Sequence, residues 1–289
     1  MDKQGPSIRL GVFVGGLAAA LVAGFGLGKL INPASPTAGA QTGAPAPQAT
    51  GTAHVHTGPQ AAAGSDVGGL AISAAGYTLN PLSHEGGKIS FVIKDSGGKP
   101  VTAFAIVHEK PVHLIVVRRD LTGYQHLHPS MAPDGTWSVQ ADLSKPGVWR
   151  VFADFTALTQ EGAQSALTLG YDITVAGDYR PEAVPAATRE STADGQTVTH
   201  EGTLNVGATS PLLFRVAGGA ALEPYLGSFG HLVVLRDKDL AYVHVHAEPQ
   251  LSGGAVKFWM AAPSPGTYRM FFDYQVSGKV HTAEFTLVV

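Results

Sequence analysis

The chain has 289 residues, 44% of them hydrophobic, a formal net charge of −3, twelve histidines and no cysteine. The length suits two domains with real cores, and the balance of charge excludes the basic face that a nucleic-acid binder needs. The missing cysteines exclude disulfides, thiolate metal sites and cysteine nucleophiles, and leave imidazole, carboxylate and methionine sulfur as possible ligands.

The first nine residues are polar and carry Lys3 and Arg9. Residues 10–28 are uncharged and apolar, and Lys29 closes them. A helix of that length just crosses a hydrocarbon core of about 30 Å. The basic flank predicts an N-in orientation with the rest of the chain outside the cytoplasm. The segment reads as an uncleaved signal anchor over 1–30. A cleaved signal peptide with Ala38-Gly39-Ala40 as the small-residue site is the other reading, and would make the protein secreted. Residues 31–68 are rich in Pro, Ala, Gly and Thr and cannot bury enough surface to fold, so they read as a disordered tether. His54 and His56 within it read as solvated side chains, or as a loose metal-capture arm.

From residue 69 the pattern becomes short runs of Val, Ile, Phe, Tyr and Trp punctuated by Gly, Pro, Asp and Ser. These predict strands near 75–79, 88–94, 101–107, 112–118, 123–128, 136–141, 147–155 and 166–175. A second set is expected near 196–205, 211–216, 230–236, 241–246, 255–260, 267–274 and 280–288. About seven strands in about 100 residues suggest an immunoglobulin-like β-sandwich, here in tandem over 69–177 and 178–289, with 178–194 as the connection. One closed barrel per repeat is the alternative.

The two halves share a signature. His113, an apolar run, Arg118, Tyr124, His126 and His128 are matched by His231, an apolar run, Arg236, Tyr242, His244 and His246. Further on, Trp149-Arg150-Val-Phe152-Ala-Asp154-Phe155 matches Tyr268-Arg269-Met-Phe271-Phe-Asp273-Tyr274. This is an internal repeat of roughly 110 residues.

Each signature predicts a hairpin. A turn between Asp120 and Leu121 sets His113 opposite His128 and Ile115 opposite His126. A turn between Lys238 and Asp239 sets His231 opposite His246. Opposed side chains stand about 5 Å apart, and alternation keeps all three imidazoles of a repeat on one face. Three converging neutral imidazoles can bind Zn(II) or Cu(II), with raw affinity favouring copper. The expected metal ligands are therefore His113, His126, His128, His231, His244 and His246, one set of three per repeat. The other reading makes them buried histidines bonded to backbone. Asp154 and Asp273 share faces with Arg150 and Arg269, and are either ion-paired or partners that fix an imidazole tautomer. His108 is close enough to His113 to extend the first site. His84, His200 and His281 have no repeated counterpart, and Met131 reads as a loop methionine. Trp149, Val151, Ala153 and Phe155, like Tyr268, Met270, Phe272 and Tyr274, read as core.

The stretches His108–Leu121, Gln125–Pro129, Asp134–Trp137, Trp149–Phe155, Tyr225–Arg236 and Asp239–His246 resemble an uncharacterised family of secreted or membrane-anchored actinobacterial proteins, over about 75–289. The resemblance implies an extracytoplasmic location, a tandem architecture and heavy-metal handling, copper above all. One departure is Ala247, where family members commonly carry Pro after the second H-x-H; it is expected to alter the loop and leave the imidazoles in place.

The expected function is an extracytoplasmic, membrane-anchored metal-binding protein that sequesters or delivers copper, or zinc. The alternative is a structural or protein-interaction module of the cell envelope without metal. A three-histidine metal with an open position could activate water, but no carboxylate recurs as a convincing general base. The cupin order of H-x-H before a later His is reversed, and no G-x-S-x-G or P-loop occurs. A binding role is therefore expected rather than an enzyme.

Overall fold

The computed structural model describes residues 68–159, 161–219 and 221–289, all within one compact unit spanning His56–Val289. The expected membrane segment, the tether and His54 and His56 lie outside the described residues. Among the described residues no helix is long and apolar enough to cross a membrane.

The first repeat contributes β1 (Ser73–Ala74), β2 (Tyr77–Ser83), β3 (Lys88–Lys94), β4 (Val112–Arg118), β5 (Gln125–Leu127), β6 (Ser130–Met131), β7 (Thr136–Gln140), β8 (Gly147–Leu158) and β9 (Gln164–Val175). The second contributes β10 (Glu190–Ala193), β11 (Gln196–Glu201), β12 (Ser210–Val216), β13 (His231–Arg236), β14 (Tyr242–Val243), β15 (His246–Ala247), β16 (Val256–Met260), β17 (Thr267–Val276) and β18 (Lys279–Val288). The strands form four antiparallel sheets, ordered β1-β2-β3-β7-β6, β5-β4-β8-β9, β10-β11-β12-β16-β15 and β14-β13-β17-β18. Each repeat is thus two sheets facing each other, not one closed barrel.

The expected strand at 101–107 is not formed. This stretch follows Pro100, makes only isolated bridges at Phe104 and Val107, and carries the chain from one sheet to the other. Conversely, Glu190–Ala193 forms β10 inside the stretch expected to be a connection. It pairs with β11 from Glu190↔Thr199 to Ala193↔Gln196.

Alternation sorts the side chains. Leu114, Val116, Trp149, Val151, Ala153 and Phe155 point into the first core, against Leu79, Phe91, Ile93 and Trp137. Leu232, Val234, Tyr268, Met270, Phe272 and Tyr274 point into the second, against Leu212, Phe214 and Phe258. Both sets are core, as expected.

The opposite faces of β4, β8, β13 and β17 are also apolar. Ile115, Val117, Leu121 and Phe152 meet Val233, Leu235, Leu240, Tyr242 and Phe271 in a third buried cluster. The inner sheets of the two repeats therefore pack on each other, and the molecule is four sheets deep. That explains why β4 is buried along its whole length: a strand covered on both faces reads as a continuous apolar run. Each fully buried Leu, Ile, Val or Phe here is worth roughly 1.5–3 kcal/mol. Tyr124 lies flat on Phe271, with centroids 4.1 Å apart and planes 4° apart. Val184 of the connecting segment packs on the same cluster, and the Glu182 amide donates to Asp120 at 2.9 Å.

Candidate metal centre

The β4–β5 hairpin has the expected register. Leu114 pairs with Leu127, Ile115 with His126 and Val116 with Gln125. Asp120 builds its turn. Its carboxylate accepts from Arg118 at 2.7 and 3.0 Å and from the Thr122 hydroxyl at 2.8 Å. Burial pushes Asp120 up, but these donors and the Glu182 amide outweigh it and hold the group below the usual carboxylate range. Gly123 closes the turn at φ +68°, where a Cβ would come within 2.7 Å of the Trp149 ring. The turn aims Tyr124 and His126 to the same side as Ile115, which is the face toward the second repeat.

His113 opens the same face, directly across from Asp154 on β8. Its counterpart His231 opens β13, directly across from Asp273 on β17. Because the two faces are pressed together, these histidines meet. The ring centroids of His113 and His231 lie 5.2 Å apart in a stack with planes 10° apart. Those of His126 and His231 lie 4.4 Å apart. One nitrogen from each of His113, His126 and His231 can be chosen so that all three fall within 4.8 Å of one another. His128 adds a fourth ring, 5.1 Å from His113 and 4.8 Å from His126.

The hydrogen bonds assign roles to the nitrogens. His113 Nε2 lies 3.0 Å from the Val107 carbonyl, which can only accept, so this nitrogen carries the proton. His126 Nδ1 lies 2.9 Å from Asp273 Oδ2, and so donates to a carboxylate oxygen of the other repeat. The same oxygen accepts the Tyr124 hydroxyl at 2.8 Å, and Oδ1 accepts the Thr282 hydroxyl at 2.6 Å. In neutral rings the remaining nitrogens, His113 Nδ1 and His126 Nε2, then present lone pairs to each other across 2.9 Å. Two facing lone pairs repel unless a cation, a proton or a metal ion, lies between them. His231 Nδ1 and His128 Nε2 are also buried without a hydrogen-bond partner, at a cost of roughly 1–3 kcal/mol each.

A proton is a poor solution here. Burial, and then the neighbouring imidazoles, push His126 and His231 well below the ordinary histidine value. Burial also lowers His113, and brings His128 down to about 4. Neutral imidazole is the form that binds metal. Burial raises Asp273 to about 7, against the pull of Thr282 and Tyr124; a nearby divalent cation would favour its ionised form.

The structure differs from the expectation of one three-histidine set in each repeat. Among the described residues one group of three converges, and it is built from both repeats. The register of the second hairpin agrees with the sequence, since Val234 pairs with Val243 and Leu235 with Tyr242. But β14 ends at Val243, and the chain then changes sheets: His246 pairs with Trp259 and Ala247 with Phe258 on β16. In the first repeat the change comes later, after Leu127, and Pro129 has no N–H to give a ladder. Ala247 therefore does more than reshape a loop: it lies in β15, on the side of the switch that carries His246 away. His244 and His246 are exposed, with ring centroids 5.1 Å apart.

The carboxylates behave unequally. Asp273 holds an imidazole, whereas Asp154 accepts the Thr168 hydroxyl at 3.1 Å. His108 does extend the cluster, 6.1 Å from His113 and 5.8 Å from His231. It stands in a two-residue turn with Glu109, both at positive φ (47° and 63°), at roughly 1–3 kcal/mol of strain per residue. His200 and His281 are structural. His200 is buried against Phe214 and Phe285 and bonds the Thr188 carbonyl, and His281 bonds Asp194 and stacks on Tyr274. His84 precedes a short 3-10 turn at Glu85–Gly87. Met131 sits in β6 and packs on the first core rather than in a loop. Tyr124 and Thr282 were not expected as parts of the site. The Tyr repeated before each H-x-H was the available signal for Tyr124; Thr282 follows only from its position across from Asp273.

No curated protein matches the chain. The family described as Domain of unknown function (DUF8832) matches residues 65–177 and again residues 191–289. Both matches contain a complete signature of histidines, Arg and Tyr, and the chain belongs to this family, carrying its domain twice.

Proposed function

We propose that the protein binds one metal ion between its two repeats, through His113, His126 and His231, with His128 as a fourth donor. The observation that carries this reading is the 2.9 Å approach of His113 Nδ1 to His126 Nε2 while their other nitrogens are committed to Val107 and Asp273. Nitrogen ligands about 2.0–2.1 Å from a tetrahedral ion stand roughly 3.3 Å from each other. The His113–His126 pair would spread by a few tenths of an ångström, and the third nitrogen would close in. An all-imidazole donor set suits Cu(II) or Zn(II), and copper is the stronger candidate by general affinity.

The remainder of the proposal rests on sequence. Residues 10–28 anchor the protein in the membrane, the tether holds it away from the surface, and two immunoglobulin-like sandwiches stand outside the cytoplasm. There the protein sequesters the ion or delivers it to an envelope partner, as a binder rather than an enzyme. The competing reading is a metal-free module in which the histidines join the repeats; the His126–Asp273 bond favours it. Calorimetry of the full-length protein with Cu(II) and Zn(II) separates the two. One tight equivalent, lost in His126→Ala and in His231→Ala, supports the metal reading. No heat of binding, with a lower Tm in both variants, supports the other.

A further inference from the structure

The histidine group lies in the seam where the two repeats meet. His113 is 3% exposed, the His126 side chain is 3% exposed, and His231 Nδ1 is fully buried. An ion reaches such ligands through an opening of the structure, and a credible metal site includes an access path.

Residues 68–72 form a strap that bonds both repeats. The Gly68 carbonyl accepts the Tyr242 amide of the second repeat at 2.7 Å, and the Ala71 carbonyl accepts the Gly170 amide of the first at 2.9 Å. Between them the Gly69 carbonyl accepts Arg150 Nη2. The Ile72 carbonyl accepts the Leu79 amide at 2.9 Å and ties the far end of the strap to β2. Gly68 and Gly69 both stand at positive φ, 56° and 68°, a conformation glycine adopts without steric cost. Gly69 is buried, and a Cβ on it would run into the Phe152 ring and come within 3.2 Å of Thr168 Cγ2. Phe152 belongs to the cluster between the repeats and lies beside Tyr242, with ring centroids 5.7 Å apart. From Thr168 the contacts lead inward to the histidines. Its hydroxyl donates to Asp154 at 3.1 Å, and Asp154 stands across from His113.

The second repeat shows what the strap replaces. Phe152 pairs with Gly170, whereas its counterpart Phe271 pairs with Glu284. Arg269, the counterpart of Arg150, gives its Nη2 to the Glu284 carboxylate. In the first repeat a Cβ on Gly170 would run into the Gly69 carbonyl oxygen. The strap thus fills, with a backbone carbonyl, a place that the second repeat fills with a side chain of its own sheet. A side chain of the sheet stays; a strap can leave. Leu70 and Ile72 point outward, 43% and 44% exposed, so the strap adds little apolar burial. Lifting it breaks a few hydrogen bonds and leaves both cores intact, as in segments that open locally.

We propose that the strap 68–72 is a gate: it closes the seam between the repeats beside the histidine group, and a metal ion enters and leaves that group when the strap lifts. This rests on the reading of His113, His126 and His231 as metal ligands. A gate of this kind sets the rate of loading and release and leaves the ligands, and so the affinity, unchanged.

The gate can be locked. A Cβ on Gly68 would stand 3.5 Å from the Ala241 Cβ, within the roughly 3.5–4.5 Å of a disulfide, and the chain has no cysteine of its own. The test is rapid mixing of full-length protein with Cu(II), following quenching of its fluorescence. Oxidised Gly68→Cys/Ala241→Cys should load at least tenfold more slowly than Gly68→Ser/Ala241→Ser, which matches it in size without the bond, and reach the same single tight equivalent. Gly69→Val, which cannot seat the strap on Phe152, should load at least tenfold faster than wild type. Gly98→Ala, at a similar φ of +76° with open space around it, should load like wild type. Hydrogen exchange reads the opening without metal: the Tyr242 and Gly170 amides should exchange together, at least a hundredfold faster than the amides of β4. Equal loading by the locked and serine pairs overturns the gate and leaves the buried site standing. Tyr242 and Gly170 amides that exchange no faster than those of β4 also overturn it. A wild-type protein that takes up no Cu(II) overturns both the gate and the metal reading.

Discussion

Asp273 of the second repeat accepts a hydrogen bond from His126 Nδ1 of the first, 2.9 Å away and shielded from solvent. One carboxylate thereby fixes the tautomer of an imidazole 147 residues earlier in the chain. It also ties the histidine cluster to the docking of the repeats.

Replacing Asp273 separates these roles. In Asp273→Asn the amide oxygen can still accept from Tyr124 and His126, and the amide NH2 can donate to the Thr282 hydroxyl. The variant should fold, and near neutral pH its metal-free form should melt no lower than wild type, because the cost of a buried carboxylate is gone. Metal affinity should fall by about 10–100-fold, the usual effect of removing a carboxylate behind a ligating histidine. Differential scanning calorimetry and chelator competition check the two halves.

Metal binding should stabilise the docked repeats together. Only the folded, docked state brings His231 to His113 and His126, so saturation at 100 times Kd adds about 2.7 kcal/mol. The increase in Tm should vanish with a chelator. It should also vanish in His231→Ala, although two of the three ligands remain in the other repeat. A metal-dependent Tm surviving in His231→Ala would place the site within the first repeat alone.

The metal-free protein should be acid-labile. His108, His113, His126, His128, His200 and His231 all have lowered folded-state pKa values, with burial the largest cause. Below the unfolded value of about 6.5 the unfolded chain takes up protons that the folded one refuses. Stability should therefore fall as pH drops from 7 toward 5, by about 1.4 kcal/mol per pH unit for each fully linked proton. Asp273 acts in the opposite sense. Its folded value is raised to about 7, so its contribution is lost as pH rises from the ordinary carboxylate range to 7. Burial raises Glu284 as well, and these two carboxylates against six imidazoles leave the net slope positive. A Tm that is flat between pH 7 and 5 would contradict this assignment of neutral, buried imidazoles.

The stack of Tyr124 on Phe271 makes Phe271→Ala a test of the interface. Phe271 is fully buried in the cluster shared by the two repeats. Truncation should cost about 3–5 kcal/mol and weaken metal binding at a distance, because Tyr124 and His126 lose the wall that positions them. Tyr124→Phe keeps the ring and removes only the hydroxyl bond to Asp273. It should cost about 1–2 kcal/mol and leave the interface closed, as judged by hydrogen exchange.

The sequence by itself determined most of the strands, the repeat and the local register, but not the irregular course of 101–107 or the strand at Glu190–Ala193. Apolar alternation placed Trp149, Val151, Ala153 and Phe155 in the core, and the spacing of Asp120, Tyr124 and His126 set the first hairpin, because these are properties of neighbours along one strand pair. It also marked His113, His126 and His231 as chemically unusual. Tertiary structure decided how they are grouped. Ile115, Val117, Val233 and Phe271 form a second apolar face on strands that already have a core, and burying it presses the repeats together. That docking joins His231 to His113 and His126 and brings Asp273 to His126. The early change of sheet after Val243 removes His244 and His246 from the same face. The docking and the Asp273–His126 bond depend on contacts about a hundred or more residues apart, which no local spacing encodes, and the change of sheet depends on the pairing of His246 with Trp259 on β16 rather than on continuation of the hairpin.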